Sequence, residues 1–147
     1  MNHDERIAIV RRLREALERQ RDRFHQYLNL LEHQQSAIDR QDTDQLRQHV
    51  DLEREVVGEI TALQKVISPM QDLYHAAYPA AEPAVGHLEM ALTRAREQVL
   101  ARNTSNQKLL SEKMDALRLE LREFRRRRGS SSPFAAVGTP SVIDITA

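Results

Sequence analysis

Two short constellations carry the residue types of metal chemistry: Asp22 with His25 and Asp72 with His75, each an Asp-x-x-His. On a helix that spacing brings both side chains to one face, as Glu-x-x-His ligands do in helical di-metal proteins. Those sites also need inward carboxylates from other helices. Phe24 belongs to the apolar seam of its segment, which turns His25 outward, and Asp72 follows Pro69, where a helix is expected to stop. Both pairs therefore read as surface side chains. His3, His33, His49 and His87 show no His-x-x-x-His or His-Glu-x-x-His spacing, so metal-assisted hydrolysis has no support and neither metal nor cofactor is expected. The serines of the C-terminal tail have nothing rigid to hold a base beside them. With no cysteine and only four glycines, thiol chemistry and phosphate-cradling loops are also excluded, and the chain reads as a non-enzyme.

A further chemical feature is Arg125 to Arg128, a run that attracts phosphate or acidic protein but equally suits the C-terminal end of a helix dipole. The whole chain is neutral, with 22 basic and 22 acidic side chains, yet residues 41–72 are acidic while the tail starts basic. No aromatic stacking platform accompanies the arginines, so nucleic acid is not an expected partner.

The elements that carry these residues are helical. The composition is 30% charged, 4% aromatic and free of tryptophan, which fits an elongated all-α protein rather than a compact mixed fold. Val10, Leu17, Phe24, Leu31 and Ile38 recur every seven residues, predicting one long amphipathic helix over about 4–40. A polar break, "DRQDTDQ", follows, with Asp42 and Gln45 placed to form a capping box. The second helix is predicted over 42–68, with its stripe at Leu46, Val50, Glu53, Val57, Ile60, Leu63 and Ile67, widened by Val56 and Val66, and with Pro69 expected to kink or terminate it. The short connection makes the first two helices antiparallel neighbours.

Residues 74–83, "YHAAYPAAEP", read as a connection with room for one helical turn before Pro79. The third helix is predicted over 83–128. Val85, Leu88, Leu92, Ala95 and Val99 carry its first half, and Leu110, Met114, Leu117, Leu121 and Phe124 its second. Asn103 and Asn106 interrupt the seam, either as a bend or register-fixing polar layer or as a true break into two helices. The fold expectation is an elongated antiparallel three-helix coiled-coil-like bundle over 1–128, with a flexible tail over 129–147. The tail combines a Gly, Ser and Pro linker with an apolar tip, Val142, Ile143 and Ile145. No run approaches the roughly 20 apolar residues of a membrane span, and a cytoplasmic protein without stable membrane insertion is expected.

Several stretches resemble the FlgN-type flagellar export chaperones. They are "LLEHQQSAIDRQDTDQL" at the end of the first helix, "LEREVVGEITALQKVISP" in the Glu-rich second, and "RNTSNQKLLSEKMDALRLEL" in the last; the ending "PSVIDITA" resembles tails of some members. The resemblance implies a small cytoplasmic helical protein that escorts hook-associated (hook–filament junction) subunits to the flagellar type III secretion apparatus. It also implies contacts with export-gate or ATPase-complex components. Leu110, Met114, Leu117, Leu121 and Phe124 match the family's substrate-binding last helix, where they would take a substrate helix in a helix-in-groove mode. The same five side chains could instead pack on the first two helices. Val142, Ile143 and Ile145 would add a second contact, to substrate, to the export gate or to the protein's own groove. The competing readings are a structural coiled-coil adaptor that homodimerises through its stripe, and a basic-tailed nucleic-acid binder.

Overall fold

The computed structural model describes residues 2–78, 80 and 82–129. Its helices are α1 (His3–Asp39), α2 (Thr43–Ala77) and α3 (Pro83–Gly129), and no strand occurs among the described residues. The described residues are thus all-α, in three helices. It divides into two compact units, Met1–Leu109 and Leu110–Ala147.

The first unit is an up-down-up bundle whose register can be read from its polar contacts. Along α1, Gln20, Arg23 and Tyr27 meet Gln64, Glu59 and Glu53, so α2 descends as α1 rises. Phe24, Tyr27 and Leu31 meet Arg96, Asn103 and Asn106, so α3 rises alongside α1. The seven-residue stripe of α1 is buried throughout: Val10, Leu17, Phe24, Leu31 and Ile38 are all core residues. Leu13, Ala16, Tyr27, Ala37, Val56, Ile67, Tyr74, Val85, Leu88, Leu92, Ala95 and Val99 are buried with them.

The turn between α1 and α2 needs three residues because both caps are built into it. Gln41 takes a left-handed conformation (φ 55°), its N–H donates to Ile38 O, and the N–H of Asp42 donates to Ala37 O. This is a Schellman C-cap with glutamine where glycine is usual. Asp42 then caps α2 at once by accepting from the Gln45 N–H at 3.1 Å. The expected capping box is only half made, since Gln45 Oε1 accepts from Arg40 instead (2.7 Å). α1 opens on a complete box, with Asn2 accepting from the Glu5 N–H and Glu5 accepting from the Asn2 N–H.

Two expectations for α2 are corrected. The helix does not stop at Pro69 but runs on to Ala77. An interior proline costs about 3 kcal/mol. Tyr74 lies past it and is wholly buried; covering a side chain of that size contributes roughly 4 kcal/mol, enough to carry the helix through. Its hydroxyl accepts from the Glu82 N–H, its ring stacks on Tyr78, and together these fix the entry to α3. The seam itself is one position off in its middle, because Val56 is buried while Val57 and Val66 are 39% and 56% exposed.

Candidate partner-binding face

Three polar layers interrupt the core of the first unit, and α1 supplies each from a seam position seven residues after the last: Gln20, Tyr27 and Gln34. Gln20 is fully buried, and its Nε2 donates to Gln64 Oε1 (2.9 Å) and to Ile60 O; Arg96 donates to the same Gln64 oxygen. Tyr27 donates to Glu53 (2.7 Å) and accepts from Asn103 Nδ2 (3.0 Å). Burial, opposed by the Asn103 hydrogen bond and reinforced by Glu53, pushes the Tyr27 phenol up to about 12. Asn106, 3% exposed, donates to Leu31 O (2.9 Å) and to Gln34 Oε1.

Of the alternatives for Asn103 and Asn106, the polar layer is the one present. Both lie inside unbroken α3, and Thr104 bonds back to Leu100 O rather than capping a new helix. Such layers fix register at a cost in stability, because only one alignment pairs each polar group. The cost is visible here: Gln20 Oε1 and Asn106 Oδ1 are buried without a partner.

The stripe of α3 repeats every eleven residues: Leu88, Val99, Leu110 and Leu121 form one row, Leu92, Asn103 and Met114 another, Ala95, Asn106 and Leu117 a third. Eleven residues make close to three turns, so each row keeps to one face of the helix. In the first unit those rows are buried, Asn103 only partly. In the second unit Leu110 and Met114 are half-buried, while Leu117, Leu121 and Phe124 are 49%, 42% and 56% exposed. From Leu110 to Phe124 the stripe is about 21 Å long at 1.5 Å per residue.

Phe124 lies under the guanidinium of Arg128, 5.3 Å from its centroid, one helical turn on. The i,i+4 spacing of an aromatic and an arginine is the sequence signal of this pair. The stripe side chains of the second unit, Leu110, Met114, Leu117, Leu121 and Phe124, are all apolar, and what they can do is bury apolar surface. Val142, Ile143 and Ile145 lie outside the described residues.

The Asp-x-x-His pairs do not assemble. His25 is exposed, Asp22 sits beside Arg21, and His75 faces Glu89 at 3.7 Å. Among the described residues no group of three His, Asp or Glu could hold a metal ion, and no helix is long and apolar enough to cross a membrane.

No family model and no solved structure matches the chain. A protein of Treponema pallidum (strain Nichols), described as "Uncharacterized protein", is 37% identical over 146 residues, which span 96% of this chain and 91% of the relative. Roughly six residues of this chain fall outside that span, so residues 110–129 lie within it. The chain belongs to the same family as this Treponema pallidum protein.

Proposed function

We propose that the protein is a cytoplasmic export chaperone of the FlgN type. In this reading it binds unassembled flagellar hook-associated (hook–filament junction) subunits, keeps them soluble and delivers them to the type III secretion apparatus through export-gate or ATPase-complex components. The observation that carries the reading is the exposure of Leu117, Leu121 and Phe124 on a regular helix, at the spacing by which amphipathic helices dock on one another. One of the motifs that resemble the chaperone family, "RNTSNQKLLSEKMDALRLEL", covers residues 102–121 and so overlaps this stretch of α3.

The energetics suit reversible escort. Covering three apolar side chains that are each about half exposed contributes on the order of 3 kcal/mol before the cost of association. That supports a weak, releasable grip which further contacts can strengthen. Met114 lets the surface adapt to more than one partner helix.

Calorimetric titration of hook-associated junction subunits into the full chain, and into a shortened chain ending at Arg128, tests the proposal. Saturable binding by both places the contact on the helix; binding that weakens on shortening adds Val142, Ile143 and Ile145 to it. A folded full chain that binds none of these subunits and elutes as a salt-insensitive dimer by light scattering refutes the chaperone reading and favours the coiled-coil adaptor.

A further inference from the structure

The exposed stripe is edged by opposite charges. Each of Leu117, Leu121 and Phe124 is followed immediately by an arginine, Arg118, Arg122 and Arg125, so these three lie along one side of the stripe. The residues immediately before Leu121 and Phe124 are Glu120 and Glu123, which line the other side. All five are exposed. Arg118 has only an exposed ion pair with Asp115 (3.7 Å), and Arg122 and Arg125 make no ion pair among the described residues. Toward the N-terminal end the order reverses, with Lys113 before Met114 and Asp115 after it, and past Phe124 a cation, Arg127, joins the glutamate side four residues after Glu123, so the pattern belongs to the two turns from Leu117 to Arg125.

We propose that this face is a directional docking site for an amphipathic helix with carboxylates along one edge and cations along the other, the order of those charges setting which way the helix lies. The inference rests on the reading of the stripe as a helix-binding surface and adds the chemistry and polarity of what binds. When two helices pack through such stripes, residues that follow the stripe face their counterparts in an antiparallel pair, whereas in a parallel pair they face residues that precede it. A partner with carboxylates after its stripe residues therefore meets the arginine edge only when antiparallel, and one with carboxylates before them only when parallel. An anionic lipid surface suits the site less well. The apolar arc is only roughly 80° wide at 100° per residue, and Glu120 and Glu123 border it directly.

The chain has no cysteine, so one introduced thiol reports position unambiguously. Full chain carrying Ser111→Cys is mixed with two synthetic amphipathic peptides of identical composition, each made with a cysteine at either end. One has Glu after and Lys before each apolar stripe residue, and the other has these exchanged. Disulfide trapping should join the introduced thiol to the C-terminal cysteine of the first peptide and to the N-terminal cysteine of the second. With five charged side chains contributing, each preference should be roughly tenfold. In a chain also bearing Arg118→Glu, Arg122→Glu, Arg125→Glu, Glu120→Arg and Glu123→Arg the two preferences should exchange. Trapping of both peptides in the same orientation, or of each without preference, overturns the directional site while leaving helix docking standing. Absence of binding by either peptide, or binding unaffected by Leu117→Gln, Leu121→Gln and Phe124→Gln, overturns helix docking itself. So does a chain that partitions onto phosphatidylserine vesicles and ignores both peptides.

Discussion

Replacing Leu117, Leu121 and Phe124 together by glutamine separates a surface waiting for a partner from a surface that stabilises the protein. Glutamine matches leucine in helix propensity to within a few tenths of a kcal/mol, so α3 itself should be unaffected. The three side chains are 49%, 42% and 56% exposed. Fully burying such a side chain contributes about 1.5–3 kcal/mol, so the exposed half of each holds roughly 1 kcal/mol that only a partner can recover. The triple variant should therefore bind a junction subunit more weakly by about 3 kcal/mol, or roughly 100-fold in Kd, by isothermal calorimetry. Its urea midpoint should stay close to that of the parent protein. Leu92→Ala is the matched control: Leu92 is 2% exposed in the core, and its truncation should cost about 2–5 kcal/mol. A triple variant that loses stability on the Leu92→Ala scale would refute the reasoning, because the stripe would then be part of the protein's own packing.

Three further outcomes follow from the bundle. Asn106→Leu removes a buried oxygen that lacks a partner but also the donor to Leu31 O and Gln34 Oε1, so the two effects should offset to within about 1 kcal/mol in urea while register loosens, seen as broadened resonances around Leu31 and Gln34. Gln41→Gly relieves the left-handed backbone at φ 55° and should stabilise the α1–α2 turn by roughly 0.5–1 kcal/mol in the same assay. Burial, then His33 and Arg40, hold His49 below its ordinary 6.5, with Asp42 opposing. The unfolded chain thus takes up this proton first as pH falls, so His49's contribution is complete above about pH 6.5 and declines below it, and His49→Gln should flatten that acid limb in urea melts.

How far the sequence reveals the protein depends on whether a residue's role is local. The α1 seam is legible because its apolar side chains obey a seven-residue spacing that nothing else explains, and the first-half seam of α3 is equally plain. The middle of α2 misleads: Val56 and Val57 are adjacent β-branched residues, and only the partner helices decide which of them is covered. Pro69 reads as a stop because its penalty is local, while the compensating burial of Tyr74 depends on the rest of the bundle. Gln20 and Gln34 pass as gaps in the stripe until their partners on other helices are known, since hydrogen bonds between residues far apart in the chain leave no periodic trace. The candidate face was visible as a stripe, but its exposure was not, because identical spacing serves a core and a docking surface. The opposite charges at its edges were equally present in the sequence, hidden within a mixed run of arginine and glutamate.

The most direct test of the central claim is hydrogen–deuterium exchange on the full chain, alone and saturated with a hook-associated junction subunit. Backbone amides of residues 110–124 should exchange quickly in the free protein and slow at least several-fold on binding, with little change in the core of the first unit. Protection confined to the first unit, with residues 110–124 unchanged in a demonstrated complex, would contradict that claim.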